Sequence, residues 1–188
     1  MSLILITPPA AHPVTLEEAK AHVRVEFDDE DAMIAAYIEA ATAHLDGRDG
    51  ALGRCLMAQT WALRLEAFPS QILLPLPPCR SVTSVAYIDP AGATRTLSSD
   101  HYDVTGLGAA DGATIRPARD RVWPQTAESP EAVTITFEAG HATAAEVPAP
   151  IRLAILDHVA RLFDARGSKG DVAQFAGDGL ASFKTWAF

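Results

Sequence analysis

The sequence predicts an α+β fold: a small helical bundle with a β-rich antiparallel insertion between its second and third main helices. Apolar residues recur at helical spacing in Ile34, Tyr37, Ile38, Ala41 and Leu45, and again in Ile151, Ile155, Val159, Leu162 and Phe163. That pattern belongs to helices with one buried stripe. Between these stretches the period drops to two, with Trp61, Leu63 and Leu65 alternating with Thr60, Ala62, Arg64 and Glu66 as in a half-buried strand.

Each element follows from local signals. Thr15 with Glu18 forms a capping box, in which hydroxyl and carboxylate satisfy backbone donors at a helix start. A short helix from about Leu16 to Arg24 follows, burying Leu16, Ala19 and Val23. Asp28, Asp29, Glu30 and Asp31 stand where the second helix begins, since carboxylates are favoured beside the free N–H groups and positive dipole end. That helix runs to about Leu45, and Gly47 and Gly50 stop it.

Strands are expected from Gln59, then at Ile72–Leu74, Val82–Ile88, Thr94–Leu97, Tyr102–Thr105, Thr114–Arg116 and Val133–Glu138, with Asp89-Pro90-Ala91-Gly92 as a turn. The expectation is a β-meander standing out from a helical base. Pro148 and Pro150 prepare a third helix from Ile151 to about Ala165, which Gly167 ends and which closes back onto the first two. Residues 1–166 thus read as one domain, with its helical base at about 15–50 and 148–166 and its insertion at about 58–140, while residues 167–188 read as a C-terminal docking tail.

Composition narrows the function. With 48% apolar and 21% charged residues the chain is of ordinary globular make-up. Its 24 acidic against 15 basic residues leave a net charge of −9, which disfavours general binding of nucleic acid, because DNA is held mainly by Lys and Arg on phosphates. Leu3-Ile4-Leu5-Ile6 is too short for a signal core or a membrane span, so neither export nor membrane is expected and the bacterial cytoplasm is the default location. Cys55 and Cys79 form no CxxC pair and read as small apolar fillers.

Sites of chemistry are not evident. Phosphate loops, dinucleotide fingerprints, HExxH helices and GxSxG elbows do not occur, and no metal or cofactor is expected. The Asp28–Asp31 cluster breaks the EF-hand pattern at Ala32, Met33 and Ile34 and reads as a dipole-matched helix start. Asp100, His101 and Asp103 are the best acid/base candidates, but no nucleophile accompanies them and neighbours on a strand point to opposite faces. His158 reads as a histidine at the core margin, and Leu74-Pro75-Leu76-Pro77-Pro78 as a strand exit and not a polyproline ligand. The chain is therefore read as a structural component and not an enzyme.

The tail is unusual for a glycine-spaced segment. Phe175, Leu180, Phe183, Trp186 and Phe188 are large apolar groups, which need a docking surface because leaving them in water costs about 25 cal/mol per Å². Their own domain and another subunit are both open as that surface.

Three stretches then carry a resemblance: TLEEAKAHVRV from Thr15 to Val25, the acidic start and AAYIEAAT body of the second helix, and LGRCLMAQTWALRLEAFP from Leu52 to Pro69. With LPLPPCRSVTSVAYID, AVTITFEAG and VPAPIRLAILDHVARLF they resemble, in joint order from Thr15 to Phe163, the head-tail connector or adaptor proteins of tailed phages, particularly the adaptors of alphaproteobacterial gene transfer agents. The resemblance implies a twelve-membered ring between the portal and the next neck or tail component, with DNA passing through unbound by sequence. It also implies portal docking by C-terminal segments, here Phe175, Leu180, Phe183, Trp186 and Phe188, and location in the finished particle. A closed ring needs two different complementary faces on each subunit. The competing readings are a tail-associated β-type module binding host-surface saccharide, and a small hydrolase using the His101 region.

Overall fold

The computed structural model describes residues 1–166 and 180–185. In chain order its regular elements are β1 (Ser2–Thr7), α1 (Leu16–Val23), α2 (Asp31–Leu45), β2 (Gln59–Leu65), β3 (Ile72–Leu74), β4 (Cys79–Ile88), β5 (Thr94–Leu97), β6 (Tyr102–Thr105), β7 (Ala113–Pro117), β8 (Val133–Ala139) and α3 (Ala149–Ala165). Three helices with antiparallel sheets make the fold α+β. The chain divides into two compact units, a helical one that includes Ala10–Met57 and the chain from His141, and a sheet one made of Met1–Pro9 and Ala58–Gly140.

In the helical unit the predicted stripes meet. Ile34, Ile38, Ala41 and Leu45 of α2 and Ile151, Ile155, Val159 and Phe163 of α3 are buried in one cluster with Ala19 of α1, while Leu16, Val23 and Tyr37 pack at its margin. Each large aliphatic taken from water contributes roughly 1.5–3 kcal/mol, so these stripes dominate the unit's stability. The capping box forms as read: the Glu18 N–H donates to Thr15 Oγ1 at 3.1 Å and the Thr15 N–H to Glu18 Oε2 at 2.8 Å. Arg24, with φ 59°, ends α1 in the left-handed conformation.

The second helix starts later than its acidic cluster suggests. Its cap residue Glu30 makes no side-chain hydrogen bond, and only Asp31 lies in the first turn. Asp28 and Asp31 instead grip Lys20 of α1 at 2.7 and 2.6 Å. The Lys20 ammonium, hydrogen bonded to Asp28, holds that carboxyl below its ordinary range. The cluster is thus mainly a clamp between α1 and α2.

The sheet unit departs from a meander. Its five-stranded sheet has the order β1-β2-β8-β4-β5, and a second sheet of three strands has the order β3-β7-β6, all pairs antiparallel. The last strand in sequence, β8, lies between β2 and β4. It has the cleanest alternation, with Val133, Ile135, Phe137 and Ala139 buried and the residues between them partly exposed. Burying every second residue in a central strand pins its register, because a slip of one would turn Phe137 outward. In β2 the small Ala62 is buried along with Trp61 and Leu63, a departure from strict alternation.

The run Leu3-Ile4-Leu5-Ile6, read above only for what it excludes, is strand β1. It pairs with β2 from Ser2↔Arg64 to Thr7↔Thr60, with an irregularity between Leu5 and Thr7. The proline segment is inward, with Leu76, Pro77 and Pro78 buried, so it does not present a polyproline ligand.

Candidate functional site

The C-terminal segment is the part of the described chain where the sequence placed a binding role. Leu180 is only 3% exposed and belongs to the helical core, and Phe183 packs against the same cluster. Residues Ala181–Phe183 form a single helical turn. Beyond it the Thr185 N–H donates to the Leu52 carbonyl at 2.8 Å. Gly53, with φ +62°, makes this approach possible, since a Cβ there would stand 2.8 Å from the Thr185 carbonyl oxygen. Two of the five predicted docking residues, Leu180 and Phe183, therefore rest on their own unit; Phe175, Trp186 and Phe188 lie outside the described residues.

The platform beneath that segment is the loop from Asp46 to Met57. Asp46 Oδ1 accepts from the Leu56 N–H at 2.6 Å, the Gly47 N–H donates to the Arg54 carbonyl at 2.7 Å, and Leu52 and Leu56 are buried. Gly50 allows the tight return, because a Cβ there would lie 2.3 Å from the Asp46 carbonyl oxygen. The loop is therefore built into the core, and it gives the C-terminal segment a surface that is itself held in place.

Polar links brace the same unit. Arg152 of α3 donates from Nε to the Pro13 carbonyl at 3.2 Å and pairs with Glu18. The Glu18 carboxyl is held below its ordinary range, first by the Thr15 backbone N–H and then by Arg152. Arg166 pairs with Glu30 and lies 3.8 Å above the Phe163 ring. His44 and His158 stack with ring centroids 5.9 Å apart. Burial is the main cause that holds the His158 pKa low, with His44 and Arg161 adding to it.

The residues weighed for chemistry do not converge. Asp100 and His101 sit in the turn Ser99–His101 with His101 Nδ1 3.1 Å from Asp100 Oδ1, and Arg121 is 3.5 Å from the other Asp100 oxygen. Asp103 is exposed on β6, in register with Arg116, while its neighbour Tyr102 is buried. Cys55 and Cys79 are fully buried, and burial pushes the Cys79 thiol up to about 11, far from the reactive thiolate range. Among the described residues no group of His, Cys, Asp and Glu is arranged to hold a metal ion, and no helix is long and apolar enough to cross a membrane. An open cleft of about 590 Å³ beside α1 is lined by Glu17, Lys20, Arg24 and Glu26, among others, and includes the Lys20 clamp.

Exposed large apolar side chains occur in both units, Phe27 and Leu153 in the helical one and a run in β1 of the sheet one. Ile4, Leu5 and Ile6 of β1 are 36, 41 and 55% exposed. Trp123 pins the long connection between β7 and β8, stacking on Phe68 at 4.7 Å and donating from Nε1 to the Pro69 carbonyl at 2.7 Å. Sequence reasoning missed β1 as a surface; four successive apolar residues are the only signal, and they show neither period.

The helical unit packs three helices, and the β-rich segment is inserted in the chain between the second and the third. The family model described as phage gp6-like head-tail connector protein matches residues 13–99, which take in α1, α2 and β2 to β5. The chain resembles that family. Over its whole length it has the fold of chains in three solved particle structures. A chain from the neck of an empty GTA particle computed with C6 symmetry matches at TM-score 0.78 and 21% identity, with 100% of this chain and 97% of that chain covered. A chain of the virion of a native gene transfer agent particle matches at 0.77 and 22%, and one of the neck of a native GTA particle computed with C12 symmetry at 0.71 and 21%, both with the same coverage. No curated protein matches the sequence.

Proposed function

We propose that this chain is a structural adaptor at the head-tail junction of a tailed phage or gene transfer agent, where copies form a ring that joins the portal to the neck or tail and lines the DNA channel. The observation that carries the reading is the whole-length likeness to chains of gene transfer agent particles, two of them particle necks. The connector-family match over residues 13–99 supports it independently. The ring would be about twelve-membered, assembled in the bacterial cytoplasm and retained in the particle. The role calls for binding and shape and for no chemistry.

The net charge of −9 suits a channel wall. Carboxylates facing the lumen repel phosphates at close range, within a Debye length of about 8 Å, so DNA passes without adhering. In the C-terminal segment we assign two roles. Leu180 and Phe183 seat the segment on its own helical unit, and Phe175, Trp186 and Phe188 dock on the portal. Trp186→Ala with Phe188→Ala should then leave folding intact and remove portal binding; equal binding would cancel the second assignment.

The test of the function is complementation. Cells lacking the chain should accumulate DNA-filled heads and separate tails, and the purified full-length protein should restore joining. Joined, infectious particles in its absence would refute the adaptor role, and saccharide binding by the isolated monomer would favour a host-recognition module.

A further inference from the structure

We infer that the ring contact includes a joint between two loops, in which Phe27 of one copy packs on Val122 of the next and the acidic residues around Phe27 pair with Arg119. This inference rests on the ring reading above and names a contact that would serve it. Phe27, in the connection between α1 and α2, is 67% exposed. A single exposed apolar residue is ordinary on a protein surface. What sets Phe27 apart is how it is held. Val25 before it is buried, and after it Lys20 grips Asp28 and Asp31 while Glu30 pairs with Arg166. The Asp31 N–H also donates to the Asp28 carbonyl at 3.1 Å. The ring is therefore presented on a pinned loop, whose ordering cost has already been met in the free subunit.

The surroundings of Phe27 are acidic. Asp28 and Glu30 have cations of their own, but the exposed Glu26 and Asp29 make no ion pair among the described residues. The open cleft beside the same loop mixes apolar Leu16, Ala21 and Val25 with Glu17 and Glu26. The surface thus suits an occupant with one apolar side chain and a positive charge next to it.

The sheet unit carries that occupant. Val122 is 84% exposed and follows a turn in which Asp120 takes φ 62° and the Arg121 N–H donates to the Ala118 carbonyl at 3.0 Å. The turn is fixed at both ends, by the Ala118 N–H on the His101 carbonyl at 2.9 Å and by Trp123 on Phe68 and Pro69. The side chains of Arg119 and Asp120 are 95 and 93% exposed and 3.8 Å apart. So exposed a pair contributes little, and Arg119 can exchange Asp120 for a neighbour's carboxylate at small loss. Other exposed apolar residues fit less well: Leu107 has no cation within five positions of it in the chain, and the arginine beside Leu153, Arg152, is held by Glu18 and the Pro13 carbonyl.

Charge selects the pairing. Phe27 against Phe27 would bring Glu26 and Asp29 of two copies together, and Val122 against Val122 would oppose two Arg119 side chains, so both isologous contacts are repelled. Phe27 against Val122 joins opposite charges. The two loops belong to different units of the chain, and each copy supplies both halves, as a closed heterologous contact requires. One such joint is a small part of a standard interface of roughly 1,600 Å², so it acts with the remaining ring contacts.

The experiment uses full-length chain in assembled particles, treated with a short bis-maleimide and run on a denaturing gel. The buried Cys55 and Cys79 make wild type the unreacted baseline. The inference expects dimers when Phe27→Cys chains are assembled together with Val122→Cys chains, a ladder of multimers when one chain carries both, and no product from either variant alone. Dimers from Phe27→Cys alone, a product joining Phe27→Cys to a different particle protein, or intact rings with no product would each overturn it while leaving the adaptor role standing. Particles with no ring of this chain would sink both. As a second variant, Arg119→Glu should leave monomer unfolding unchanged but lower incorporation against wild type by roughly tenfold. Adding Glu26→Lys and Asp29→Lys to the same chain should restore it; equal incorporation of Arg119→Glu, or no recovery, counts against the joint.

Discussion

Leu180→Ala tests whether the C-terminal segment is part of the helical unit. Leu180 is 3% exposed among the core residues, and the segment's polar link in the described chain is the Thr185 N–H to the Leu52 carbonyl at 2.8 Å. Removing a buried leucine side chain to alanine costs roughly 2–5 kcal/mol in a packed core. A short segment beside a surface loop relaxes more than a central helix, which places the loss at about 2–3 kcal/mol. For a chain of this size each kcal/mol moves Tm by roughly 2–4 °C, so a drop of about 5–10 °C is expected. Differential scanning calorimetry reads the shift, and amide exchange reads the link directly: the Thr185 N–H should be protected in wild type and exchange freely in the variant. A Tm change under about 1 °C, with Thr185 unprotected in wild type, would refute the seating of this segment.

Four further outcomes follow from the structure. Gly53→Ala should release the same segment without disturbing α2 or α3, since its Cβ would meet the Thr185 carbonyl at 2.8 Å; unchanged Thr185 protection would contradict that geometry. Thr15→Ala should cost about 1 kcal/mol in urea unfolding through loss of the capping box, and no measurable change would mean the box contributes nothing. The depressed Glu18 pKa contributes stability that is present above the ordinary value of 4.5 and lost as pH falls through that value toward the folded one. Arg152→Met should flatten that dependence, as read from Tm against pH. Neither Cys55 nor Cys79 should react with a thiol reagent at pH 8 in the native protein, and both should react on unfolding; fast native labelling would contradict their burial.

Local signals in the sequence resolved into local structure. The Thr15 and Glu18 pair, the α2 and α3 stripes and the strands Ile72–Leu74, Thr94–Leu97 and Tyr102–Thr105 needed only capping, periodicity and turn residues. What failed was nonlocal. Inserting β8 between β2 and β4 pairs residues about 50 to 80 positions apart, and no spacing rule distinguishes that order from a meander. The acidic cluster does stand at the start of α2, but its contact with Lys20 was not legible for the same reason: Lys20 lies on the preceding helix, and no periodicity links a carboxylate to a distant ammonium.

The candidate site was legible in part. Composition marked Leu180 and Phe183 as side chains in need of a surface, which the protein's own core and a partner meet equally well in physical terms, and the fold brings both to the helical cluster. β1 escaped notice because apolar residues on both faces of a short strand show no alternation. Its exposure becomes visible only in the folded chain, where Ile4, Leu5 and Ile6 stand out from the sheet unit.

The central claim is that copies of this chain close into a ring on the portal. Mixing the purified full-length protein with portal rings from the same particle and imaging the product by electron microscopy tests it most directly. The account predicts a second ring of this chain stacked coaxially on the portal, with the channel open through both. Portal rings left bare at concentrations where the chain is folded and in excess would contradict it.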